Sequence, residues 1–139
     1  MKVEKIDFVT FFVKDLDKAV KFFSELFETD FIEPYPTAVD TKETLDSLCI
    51  NLAAPLTQDG PSAKIMTTKG EGLFSVGFKV SNIDKAVDEL ESRGVRLVVR
   101  EKIGSAEYAV FHPKDTFGVM LSVIEHKDKD AATAFTSRA

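Results

Sequence analysis

"GEGLFSVGFKVSNIDKAVDELESRG", residues 70–94, sets an alternating apolar run directly against a helix-like stretch. The run has the period of two that a strand requires. After it, Ile83, Ala86, Val87 and Leu90 keep the i, i+3, i+4, i+7 spacing of one helix face. Asn82 stands between the two as a helix N-cap. The same unit occurs earlier, where "IDFVTFFV" (6–13) runs into "KDLDKAVKFFSELF" (14–27) with Asp15 at the cap. The matching segments "VKDLDKAV" and "VSNIDKAV" begin at Val13 and Val80, 67 residues apart, close to half of a 139-residue chain. A period this long suits a duplicated half-domain rather than a solenoid repeat.

Strand-like segments follow each helix. In the first half they are "DFIEPY" (30–35) and a hairpin of "TAVDTK" (37–42) with "LDSLCINL" (45–52). In the second half they are "VRLVVREK" (95–102), "AEYAVF" (106–111) and "GVMLSVIE" (118–125). Each half therefore reads β-α-β-β-β. The expected fold is α+β, with two tandem modules forming a curled mixed sheet around a central cavity. Residues 1–126 make one domain, with modules at about 5–56 and 71–126 and a linker at 57–70 holding a short helical turn at "SAKIMTT". The tail, 127–139, is polar and small and is expected to fray without a function.

The first strand of each module presents two faces. In "IDFVTFFV" Val9, Phe11 and Val13 face the helices and Phe8, Thr10 and Phe12 the other side. In "LFSVGFKV" Phe74, Val76, Phe78 and Val80 oppose Leu73, Ser75, Gly77 and Lys79. Alternation in the other strands adds Cys49, Asn51 and Ala53, and then Met120, Ser122 and Ile124, to the second face. This face mixes aromatic residues with small neutral polar ones, where a solvent-facing surface would carry Lys and Glu. It suits a ligand pocket lined by Phe8, Thr10, Phe12, Cys49, Asn51, Ser75, Gly77, Met120 and Ser122. Packing against a second subunit is the other reading that alternation allows.

A net charge of -5 argues against phosphate backbones, so no nucleic-acid partner is expected. No apolar run reaches the roughly 20 residues of a membrane span, and the first residues lack the apolar core of a signal peptide. One cysteine, Cys49, leaves no intrachain disulfide. A cytoplasmic protein with no membrane partner is the expectation.

The blocks "IDFVTFFVKDLDKAV", "APLTQDGPSAK", "GEGLFSVGFKVSNIDKAVDEL" and "FHPKDTFGVMLSVIE" resemble, in order and spacing, the vicinal oxygen chelate superfamily. That superfamily includes glyoxalase I, bleomycin-resistance proteins and extradiol dioxygenases. The similarity is greatest to its methylmalonyl-CoA epimerase-like branch and spans Ile6 to Glu125. The resemblance implies a divalent metal held by a His, a Gln or Glu, a second His and a Glu. Carried over, those places fall on Phe8, Asn51, Ser75 and Ser122, which offer neither imidazole nor carboxylate. No metal and no other cofactor are therefore expected.

The titratable candidates are few. His112 and Lys114 read as turn residues, and His126 as a surface residue beyond the last strand. Cys49 has no His placed to activate it. The first function expected is metal-independent binding of a small, largely apolar ligand carrying one or two oxygens. The alternative is an isomerase, epimerase or lyase acting next to a carbonyl, possibly of a CoA thioester, with neutral donors or an unexpected divalent metal. A structural dimer is a third reading, and the resemblance implies a homodimer in any case.

Overall fold

The computed structural model describes residues 1–137. The first module contains β1 (Val3–Phe12), α1 (Leu16–Phe27), β2 (Tyr35–Pro36), β3 (Thr41–Leu45) and β4 (Ile50–Pro55). A linking helix, α2 (Pro61–Lys69), leads to the second: β5 (Gly72–Val80), α3 (Ile83–Ser92), β6 (Leu97–Ile103), β7 (Ala106–Phe111) and β8 (Met120–Glu125). A last helix, α4 (Ala131–Thr136), follows. The β-α-β-β-β duplication is as the sequence predicts.

The eight strands form one curled sheet in the order β2-β3-β4-β1-β5-β8-β7-β6. Within each module the first strand runs parallel to the last, β1 with β4 and β5 with β8. The modules join through β1 and β5, which pair antiparallel at the centre. Asp15 and Asn82 cap α1 and α3, each accepting a hydrogen bond from the backbone N–H three residues on.

Both repeated helices cover the convex face, but unequally. Ile83, Ala86, Val87 and Leu90 of α3 are buried against Val80, Ala109, Phe111 and Val123. In α1 only Leu16 is buried, and Phe22, Leu26 and Phe27 are exposed. Each fully buried aliphatic side chain stabilises by about 1.5–3 kcal/mol, so the second module carries the tighter helix packing.

Four expectations are corrected. The first hairpin's strands are Thr41–Leu45 and Ile50–Pro55, with the turn at Asp46–Cys49. Asp46 holds that turn, its Oδ1 accepting from the N–H of Leu48 at 3.0 Å and of Ile50 at 2.9 Å. The tail is not frayed, since α4 packs on the concave face and buries Ala131, Ala132 and Ala134 there. Asp130 caps it by accepting from the Thr133 N–H at 2.7 Å. His126 is buried rather than on the surface. Finally, Phe74 leaves the helix face because β5 carries a bulge: Thr10 pairs with Ser75 and Phe11 with Leu73, so the extra residue turns inward. No helix of the described residues is long and apolar enough to cross a membrane.

Candidate ligand site

The register brings the concave residues into two neighbouring rows. One runs Met120–Ser75–Thr10–Asn51, the other Ser122–Gly77–Phe8. Phe8, Asn51, Ser75, Met120 and Ser122 all line one enclosed void, with Val110 and the aromatic rings of Tyr35, Phe74, Tyr108 and Phe135. The remaining volume is about 30 Å³. That is space for a water or two, because the Phe8 ring and α4 fill most of the concavity. The room expected above Gly77 is taken up by Phe8: a β-carbon on Gly77 would lie 2.2 Å from that ring.

Thr10, Phe12 and Gly77 lie on the same face, behind the lining. Thr10 is buried and bridges two lining residues, with its Oγ1 2.9 Å from Asn51 Nδ2 and 2.7 Å from Ser75 Oγ. Phe12 stacks on Phe74 with ring centroids 4.5 Å apart. Cys49 is not at the void. Its left-handed backbone, φ 74°, interrupts the strand alternation on which its placement relied. Burial and the nearby Asp7 carboxylate push its thiol up, away from the reactive thiolate form.

Sequence reasoning places Glu43 in the hairpin region but assigns it no role. Its β3 position pairs with Ala53, directing the half-buried carboxyl into the void. Asn51 Nδ2 donates to its Oε1 at 2.9 Å, and the Thr41 hydroxyl donates to Oε2. Desolvation nevertheless holds this carboxyl above the ordinary carboxylate range. Burial, followed by the Glu43 charge, pushes Tyr35 well up. Burial and a hydrogen bond donated to Glu101 do the same for Tyr108. Asn51 Oδ1 is buried and has no hydrogen-bond partner among the described residues.

A second opening adjoins the void. A groove of about 500 Å³ shares Val39, Phe74 and Met120 with it and is walled by Ile65 of α2 and by Val98. Lys69, His112 and Lys114 stand along this groove. His112 keeps its expected turn role, its Nδ1 accepting from the Lys114 N–H at 3.2 Å.

The four carried-over metal positions do converge, since Phe8, Asn51, Ser75 and Ser122 all face the same void. Their chemistry does not fit a divalent transition metal: one has no lone pair and three offer only neutral oxygen. Among the described residues no group of three or more His, Cys, Asp or Glu is arranged to hold an ion.

A sequence model of the Glyoxalase/Bleomycin resistance protein/Dioxygenase superfamily matches residues 5–123. Mitochondrial methylmalonyl-CoA epimerase of Bos taurus is 29% identical over 127 residues, covering 86% of this chain and 73% of that one. Among solved structures, methylmalonyl-CoA epimerase from Mycobacterium tuberculosis superposes with a TM-score of 0.78 at 27% identity, covering 91% of both chains. A methylmalonyl-CoA epimerase in complex with methylmalonyl-CoA and NH4+ gives a TM-score of 0.79 at 20% identity, covering 96% of this chain and 99% of that one.

Proposed function

This chain belongs to the Glyoxalase/Bleomycin resistance protein/Dioxygenase superfamily, and from that premise we propose that it binds a small, largely apolar molecule without a metal ion. The observation that carries this reading is the void itself. It is walled by five aromatic rings, yet it contains an unpartnered Asn51 Oδ1 and the Glu43 carboxyl. A buried polar group without a partner costs about 1–3 kcal/mol, which a ligand donor reaching Asn51 Oδ1 would recover. The adjoining groove supplies room for the apolar part of the ligand. The binding residues in this reading are Phe8, Asn51, Ser75, Met120 and Ser122, with Thr10, Phe12 and Gly77 positioning them. Native mass spectrometry of the purified protein is the test. Retained small molecules should be lost in Ser75→Trp, whose indole fills the void, and equal retention by that variant would end the reading.

A second reading is supported by Glu43. A carboxyl whose proton is held above the usual range is suited to general acid–base work near neutral pH. The relatives named above are epimerases acting on a CoA thioester. In this reading the chain is an isomerase, epimerase or lyase, with Glu43 moving a proton next to a carbonyl. Deuterium exchange into methylmalonyl-CoA should then occur with the wild type and not with Glu43→Gln. Absence of exchange in the wild type would remove this reading for that substrate.

The assembly we propose is a homodimer, and the exposed Phe22, Leu26 and Phe27 of α1 support it. Sedimentation of a species near the chain mass of 15.4 kDa at micromolar concentration would rule it out.

A further inference from the structure

We propose that the ligand's head is a small organic cation, an alkylammonium group seated against Glu43 and Asn51 Oδ1, with its apolar stem leaving past Phe74 and Met120 into the groove. This deepens the binding reading above and rests on it.

The hydrogen-bonding inventory around the void is the first ground. Asn51 uses both Nδ2 protons, one on Thr10 Oγ1 and one on Glu43 Oε1, each at 2.9 Å. Its orientation is fixed by that second bond, since a flipped amide would set its oxygen against the Glu43 carboxylate. Ser75 lies 2.7 Å from Thr10 and can donate to it, and the Tyr108 hydroxyl donates to Glu101. These protons are committed. The Asn51 Oδ1 and Glu43 oxygens remain as acceptors, and only the Ser122 and Tyr35 hydroxyls are left to turn either way. A carbonyl oxygen or a carboxylate entering here would meet lone pairs. An ammonium group brings the donors that these acceptors lack.

Charge is the second ground. Among the described residues no Lys, Arg or His lines the void, while Glu43 faces it and Glu101 lies behind Tyr108. Both carboxyls act on Tyr35 and Tyr108 in the same direction, making their phenols harder to ionise. The field that the described residues set up here is therefore negative, with no counter-ion among them. The walls agree with this, because the faces of Phe8, Tyr35, Phe74, Tyr108 and Phe135 carry the negative end of an aromatic quadrupole. The cationic side chains near the site, Lys69 and Lys114, sit in the outer groove, where they repel a second ammonium and tolerate an uncharged or acidic tail. The void has space for a head group only.

The test is calorimetric titration of the full chain at pH 7 with hexylammonium chloride, 1-hexanol and sodium hexanoate. Hexylammonium should bind at least tenfold more tightly than 1-hexanol, and hexanoate most weakly. Glu43→Gln should reduce hexylammonium affinity at least tenfold and so bring it down towards that of 1-hexanol. Hexanol or hexanoate binding as tightly as the amine would overturn the cationic head while leaving the site intact. Failure of hexylammonium to bind the wild type would overturn it as well. If 1-hexanol binds equally to the wild type and Ser75→Trp, the site itself is misplaced and the underlying reading fails with it.

Discussion

Two buried polar clusters lie on β1 only a few residues apart, and they are built to opposite ends. At Asp7, a carboxylate with no exposed side-chain surface meets His126 just after β8, Oδ2 to Nε2 at 2.7 Å. His126 Nδ1 accepts from the Asp128 N–H at 3.2 Å, which leaves the ring proton on Nε2 to be donated to Asp7. Lys5 Nζ stands 3.7 Å from the other Asp7 oxygen. That oxygen, Oδ1, has no hydrogen-bond partner among the described residues and is met by the Lys5 charge alone, while the His126 contact fastens the end of β8 to the first strand. At Thr10, three residues further on, the cluster of Asn51, Glu43 and Ser75 is just as deep, and its unpartnered acceptor, Asn51 Oδ1, belongs to a residue that lines a void with no cationic side chain among the described residues. The first cluster closes on itself and serves the fold. The second stops at a void, and in the proposed reading a molecule from outside completes it.

The comparison breaks if removing the Asp7–His126 contact is harmless. His126→Ala takes away the hydrogen-bond donor of a buried carboxylate, leaving it only Lys5 at 3.7 Å, and should destabilise by about 3 kcal/mol. Chemical denaturation measures this, and an effect below about 1 kcal/mol would place the pair among ornamental contacts. Next in size is Gly77→Ala, whose methyl has no room beneath the Phe8 ring. Overpacking of this kind costs about 1–3 kcal/mol. The double variant Phe8→Ala with Gly77→Ala should recover part of it, and strict additivity would separate the two residues.

Glu43→Gln sharpens the other side. The folded-state pKa of Glu43 is raised, so its contribution is complete below the unfolded pKa and is lost as pH rises through the folded value. At neutral pH the charged carboxyl therefore burdens the fold, and the glutamine variant should melt higher than the wild type. The difference should shrink as pH falls towards 4. A constant difference across that range would show that Glu43 does not titrate in the void. The smallest expected effect is none: dialysis against a chelator should leave the melting temperature unchanged, and a clear fall would show that a divalent ion is bound.

The repeat, the two helix caps and the inward faces of β1, β4 and β8 were legible because alternation holds wherever the strand is regular. It fails where the backbone departs from a regular strand. At β5 the bulge turns Phe74 inward, and at Cys49 a left-handed residue ends the register. Glu43 was hidden because the strand containing it begins at Thr41, and "TAVDTK" gives no sign of that boundary. The burial of His126 depends on Asp7, 119 positions away, and no local pattern reveals a pairing of that range. The final helix did leave a trace: "DAATAF" places an Asp at a cap before alanines, which are strong helix formers.

That helix has a consequence for how the protein can change. Phe135 packs edge-on against Tyr35 from the first module and lies against Tyr108 from the second, with ring centroids 5.6 and 6.2 Å apart. Its backbone is held at the β6–β7 turn, where Gly104 would place a β-carbon 2.2 Å from the Ala134 carbonyl and Ser105 N–H donates to that oxygen at 2.9 Å. One wall of the void is thus a six-residue helix outside the duplicated modules, clipped onto the single sheet. Selection can reshape that wall by altering a few codons of α4, and the doubled scaffold beneath it need not be rebuilt. Descendants that differ in their final turn of helix should diverge in what they bind well before they diverge in how they fold.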